Sequence, residues 1–181
     1  NGMIGPLQFI NGENLKNIGP INQPEKRLFQ FQELEETLKE FHKNKVLHRD
    51  IKSGNIIESD DNSVKIIDFS ITASFEEDLS DNLNGWMMGT LSYLHCDPKR
   101  SKDFYGLAVS YLESITKNPR LPIIPNRKRI KEFEKENHRE LLKTYGSEIA
   151  DYFSHLINIP NEYEKFEMED QNKIINLEKN I

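Results

Sequence analysis

Residues 46–57 read VLHRDIKSGNII, with a histidine, an arginine, an aspartate, a lysine and an asparagine held between two short apolar runs. Apolar flanks of this kind ask to be buried, so the polar groups between them need partners or a task. Asp50 is suited to accept the proton of a hydroxyl. Lys52, two residues on, offers positive charge to a phosphoryl group in flight. Asn55 and the later carboxylate Asp68, in VKIIDFS, supply the hard oxygen donors that Mg2+ takes when it is also held by a phosphate chain. Each residue alone has a plainer use, as a satisfied loop group, a solvated lysine or a strand cap. Their joint spacing is what points to phosphoryl chemistry.

The elements around them must bring these groups to one edge. NIIES, DDNS and VKIID read as strand, turn and strand. A hairpin that begins at Asn55 and ends at Asp68 returns the chain to the end of the ribbon where it started, so the asparagine and the aspartate share that end. Upstream, residues 5–10, GPLQFI, predict a strand that ends at an Asn11-Gly12 turn and runs into a connector. From Pro24, a residue suited to a helix start, Leu28, Phe31, Leu34, Leu38 and Phe41 recur at three- and four-residue steps. They predict an amphipathic helix that stops near HKNK. Residues 101–116 predict a helix apolar on more than one side, hence a buried central one. Residues 127–143 predict a charged surface helix with Ile130, Phe133 and Leu141 turned inward, and Ile149, Tyr152, Phe153, Leu156 and Ile157 mark another. The acidic tail from Glu162 reads as a last helix with a frayed end. No internal repeat is visible.

Composition bounds the partners. The chain has 181 residues, a net charge of −6, 36% hydrophobic and 30% charged residues, and no linker that would split it. The acidic balance argues against a nucleic-acid partner, which would require a basic face. No apolar run is long enough to span a bilayer, so no membrane partner is expected. The single cysteine, Cys96, excludes an internal disulfide and fits a reducing compartment. A cytoplasmic setting is the expectation, in a host's cytosol if the protein is a secreted effector.

Five blocks carry a resemblance: LQFINGENL, HRDIKSGN, DFS, GTLSYLHCDP and DFYGLAVSYLESIT, in that order along the chain. Together they resemble the hinge, catalytic loop, metal-binding motif, activation-segment end and following helix of the eukaryotic-type protein kinases. The resemblance runs from about residue 5 to about residue 116. It implies an α+β, mostly helical fold, the large or C-terminal lobe of a kinase with a short catalytic-loop β-hairpin. Residues 1–181 would form a single domain, with hinge and linker at about 5–22, catalytic core at 24–116 and C-terminal helices at 117–181. It also implies a serine/threonine-type phosphotransferase using ATP and Mg2+, since lysine at position 52 is the habit of serine/threonine kinases. Asp50 would orient and deprotonate the substrate hydroxyl, and Lys52 would contact the transferred phosphoryl. Asn55 and Asp68 would hold Mg2+, Thr90 would brace Asp50 and Lys52, and Asp103 would support the loop from below. His48 would pack and hydrogen-bond.

Three departures accompany the resemblance. Ser70 stands where the family has a glycine. His95, Cys96 and Asp97 replace Ala-Pro-Glu, and no arginine follows Arg139 to meet Asp97. Only 49 residues precede Asp50, with no glycine-rich loop, no V-A-I-K-like strand lysine and no helix glutamate to pair with such a lysine, so the nucleotide roof is missing from this chain. The chain alone is therefore expected to bind ATP poorly. Three explanations stay open: a fragment of a longer kinase, a small lobe supplied in trans, or a pseudokinase-like module that binds a regulatory protein without catalysis. A small-molecule kinase fits less well, because Lys52 and GTLSYLHCDP are protein-kinase features. Arg49 is the residue that would grip a phosphorylated activation segment, and Glu76, Glu77 and Asp78 would offer it fixed negative charge in place of the phosphate. Thr72, Ser74 and Ser80 are candidate phosphosites, and NRKRIK, residues 126–131, is a candidate docking run for an acidic partner.

Overall fold

A computed structural model of the chain describes residues 10–75, 77, 89–93, 101–117, 119, 121 and 127–160. In chain order the elements are β1 (Gly12–Asn14), α1 (Leu15–Ile18), α2 (Pro24–Lys43), β2 (Val46–Leu47), β3 (Ile56–Ser59), β4 (Val64–Ile66), β5 (Ala73–Ser74), α3 (Lys102–Ile115), α4 (Arg127–Tyr145) and α5 (Ser147–Asn158). Single 3-10 turns occupy Ser53–Asn55 and Leu91–Tyr93.

Helix α3 is the centre. Apart from Lys102 and Glu113 all of its residues are buried, and it packs against α2 on one side and α5 on the other. Its start is capped by Ser101, whose Oγ accepts from the Phe104 amide. Phe31, Leu34 and Leu38 of α2 meet Tyr105, Tyr111 and Leu112 of α3 in this core, and Phe153 and Leu156 close it from α5. Each such side chain contributes about 1.5–3 kcal/mol by leaving water. Helix α2 begins with Pro24 at its first turn, where a missing N–H costs nothing, and runs to Lys43 as its apolar spacing predicts. Helix α4 turns Ile130, Phe133 and Leu141 inward, and α5 buries the five residues expected of it.

Two small antiparallel sheets flank the helices. One has the order β1-β3-β4, and the other pairs β2 with β5. The expected turn at Asn11-Gly12 does not form. Gly12 instead opens β1 opposite Ser59, and a Cβ there would collide with the Glu58 carbonyl oxygen. Glycine is needed at that point for close approach between strands rather than for a bend.

Helix α2 also carries a polar stripe on its buried side. Arg27 is fully buried, and its Nη1 donates to Glu58 Oε2 and to Gln30 Oε1, at 2.6 and 2.7 Å. Lys26 Nζ reaches the other Glu58 oxygen at 2.6 Å. Burial alone would raise the Glu58 carboxyl, but the hydrogen bonds from Lys26 and Arg27 hold it below the usual carboxylate range. This cluster clamps the hairpin onto α2. No helix among the described residues is long and apolar enough to cross a membrane.

Candidate active site

The loop between β2 and β3 is tied down before it reaches its chemistry. Asp103, buried at the start of α3, accepts the His48 amide on Oδ2 and the Arg49 amide on Oδ1, both at 2.8 Å. His42, at the end of α2, approaches Oδ2 at 3.0 Å. A carboxylate only accepts, so His42 Nε2 carries the hydrogen in that bond. Burial pushes the Asp103 carboxyl up, yet the bonds from His42 and the two amides outweigh it and hold the group below its ordinary range. His48 is buried as well. Its Nε2 donates to the Ile67 carbonyl at 3.1 Å and its Nδ1 accepts the Asp50 amide at 3.3 Å, which selects the Nε2–H tautomer.

Beyond that anchor, four of the five residues expected at the site bond to one another. Asp50 Oδ1 accepts from the Thr90 hydroxyl at 2.8 Å. Asp50 Oδ2 accepts from Lys52 Nζ at 2.5 Å and from the Asn55 amide nitrogen at 3.0 Å. Lys52 Nζ also lies 3.4 Å from Thr90 Oγ1. Three of the roughly four lone-pair positions of Asp50 are thus taken, which fixes the orientation of the one that remains. Because Asn55 spends its amide nitrogen on Asp50, at the backbone carbonyl (2.9 Å) and the carboxylate, its Oδ1 is left as the donor atom for a ligand.

Asp68 joins them through the backbone. The Ile67 amide donates to the Asn55 carbonyl at 2.9 Å, so the residue beside Asp68 is stitched to Asn55 and, through its own carbonyl, to His48. Asp68 is exposed, and among the described residues its carboxylate makes no hydrogen bond to Asp50 or Asn55. Hydrogen bonding from Ser70 holds it below the usual carboxylate range, and the charge of Lys52 adds to that. Its backbone sits in the left-handed region at φ 65°, as does that of Arg49 at φ 69°. Ser70 is not in that region, so serine there carries no strain.

One family model, described as Protein kinase domain, matches residues 8–171 of the chain. The chain belongs to the protein kinase domain family. Dual specificity protein kinase zak2 of Dictyostelium discoideum is 35% identical to this kinase domain over 111 residues, 52% of the chain and 17% of that protein. Serine/threonine-protein kinase PknB of Mycobacterium leprae is 28% identical over 123 residues, 62% of the chain and 20% of that protein. A probable serine/threonine-protein kinase of Dictyostelium discoideum is 22% identical over 157 residues, 81% of the chain and 31% of that protein. The chain spans less than a third of each relative's length.

In this kinase domain, Asn55 Oδ1 and the Asp68 carboxylate are hard oxygen atoms of the kind that Mg2+ takes alongside phosphate and water. Among the described residues there is no cluster of three or more His, Cys, Asp or Glu side chains that could hold a metal without such help. Phe69, next to Asp68, packs edge-on against His48 and Phe41 at centroid distances of 5.0 and 5.8 Å, yet stays 49% exposed. Arg49 Nε donates to the Ile71 carbonyl at 2.6 Å. Glu77 accepts the Ser74 amide while Ser74 Oγ accepts the Glu77 amide, a reciprocal cap signalled by the S-x-x-E spacing. Lys128, Arg129 and Lys131 are exposed on α4. Ser80, Glu76, Asp78, His95, Cys96, Asp97 and the tail from Glu162 lie outside the described residues.

Proposed function

We propose that this domain is the large lobe of a serine/threonine protein kinase that moves the γ-phosphoryl of ATP to a protein hydroxyl, with the nucleotide roof supplied by a segment or chain other than the one described. The observation that carries this reading is the single carboxylate of Asp50 held at once by Thr90, Lys52 and Asn55. A carboxylate so constrained presents its remaining lone pair in one direction, as a base that orients a hydroxyl and takes its proton must. Lys52, between Asp50 and Thr90, keeps its charge beside the hydroxyl's path, where negative charge on the phosphoryl develops. Asn55 and Asp68 would hold Mg2+, which supplies charge neutralisation along the phosphate chain when bound.

On this reading the small lobe would cover the exposed edge of Phe69, which packs on His48 and Phe41 beside Asp68. A protein substrate or regulatory protein would complete the set of partners. The test joins this chain to a nucleotide-binding small lobe and measures transfer of labelled phosphate to a mixed serine/threonine peptide library. Activity that vanishes in both Asp50→Asn and Asp68→Asn, with the fold kept by circular dichroism, is the expected result. Phosphotransfer that survives either change, or a folded assembly without ATP-dependent thermal shift, overturns the reading and leaves a pseudokinase-like binding module.

A further inference from the structure

Ser53 follows Lys52 directly and is buried. Its Oγ donates to Glu113 Oε2 at 2.7 Å, and the Tyr93 hydroxyl donates to the same oxygen at 2.6 Å. Sharing one acceptor brings the two hydroxyl oxygens within 3.3 Å of each other. Burial first, and then the hydrogen bond to Glu113, pushes the Tyr93 hydroxyl well above its usual range, so it remains a donor. Hydrogen bonds to an ionised acceptor are about twice as strong as neutral ones, so this junction is firmer than two ordinary hydroxyl contacts.

Its position gives it a purpose. Glu113 lies on α3 ten residues beyond Asp103, about 15 Å further along the axis at the usual helical rise. Between them, Gly106 lies against the carbonyl of Ile51. One helix therefore holds the loop at three successive points: the amides of residues 48 and 49, the carbonyl of 51 and the side chain of 53. Tyr93 brings in a separate stretch of chain. Its amide donates to the Thr90 carbonyl at 2.8 Å, closing the short turn that presents the Thr90 hydroxyl to Asp50.

We propose that Glu113, acting through the hydroxyls of Ser53 and Tyr93, is a positioning residue that keeps residues 50–55 and 90–93 in register, so that Thr90 stays seated on Asp50 and Lys52. This assignment rests on the kinase reading for its purpose, but its geometry is testable without catalysis. In the folded chain, Ser53→Ala and Tyr93→Phe are each expected to speed amide exchange about tenfold at both Asn55, which donates to Lys52, and Tyr93, which donates to Thr90. Amides of α3 and α5 keep their protection. Faster exchange confined to the substituted side, or spread evenly over the domain, overturns the proposal. In the assembly with a small lobe, Ser53→Ala is expected to lower kcat about tenfold with KM for ATP unchanged, and Ser53→Thr to restore it. Unchanged kcat in Ser53→Ala overturns the proposal too. An assembly that transfers no phosphate at all counts against the kinase reading, while the exchange measurement still decides the positioning role.

Discussion

The carbonyl oxygen of Ile51 lies so close to Gly106 that a Cβ added at that glycine would stand 2.5 Å from it, with the Ile51 Cβ at 3.1 Å. Neither neighbour is the far end of a flexible side chain, so the loop or the helix would have to move. Gly106→Ala is accordingly expected to destabilise the domain by about 2 kcal/mol. That is a net loss, after alanine's better helix propensity, worth about 1 kcal/mol, is set against the clash. Urea unfolding measures the loss, and a shift in the amide resonances of residues 48–55 would trace it to the loop.

Asp103 ties acid stability to the same loop. Unfolded aspartates titrate near pH 3.9, and in the fold this carboxyl is held lower by His42 and two amides. A depressed carboxyl stabilises fully above its unfolded pKa, and that stability drains away as the pH falls through the folded value. Asp103→Asn should therefore cost about 3 kcal/mol near neutrality and flatten the acid limb of the stability curve. Denaturation midpoints between about pH 3 and pH 7 compare the two proteins; parallel curves would contradict the assignment.

Thr90 braces Asp50 through a hydroxyl that donates to Oδ1 at 2.8 Å while facing Lys52 at 3.4 Å. Thr90→Val keeps the shape and removes the donor, so kcat of the assembled kinase should fall by about 10–100-fold. Thr90→Ser, which keeps the hydroxyl, should stay within a few-fold of the parent.

The charged clamp between α2 and β3 offers a separate test. Glu58→Gln leaves Arg27 charged, fully buried and without its anion, at an expected cost of about 3 kcal/mol. Adding Arg27→Met removes the stranded charge, and the double variant should recover more than half of that loss. A double-mutant cycle by chemical denaturation reads the coupling.

How much of this was legible in the sequence depended on how far each contact reaches. The apolar steps from Leu28 to Phe41 announced α2, and the pattern of residues 101–116, apolar on more than one side, announced a buried α3, because helical periodicity is local. The hairpin that returns Asp68 toward Asn55 was readable from its turn residues. Gly12 was misread because what it avoids is the Glu58 carbonyl, far along the chain. Helix α1 has only four residues, and β2 and β5 two each, too few for any period. The inward turn of Arg27 and the bond from Ser53 to Glu113 had no local signal at all: a polar residue is drawn inside only by a partner that the fold delivers.

Asp68 keeps a left-handed backbone without being glycine. Exchanging it for glycine would relieve left-handed strain on the order of 1 kcal/mol and delete the carboxylate in the same step. On the kinase reading, directed evolution of this domain for heat resistance alone would thus drift away from the carboxylate proposed to hold Mg2+, and a library screen needs a functional counter-selection at this codon.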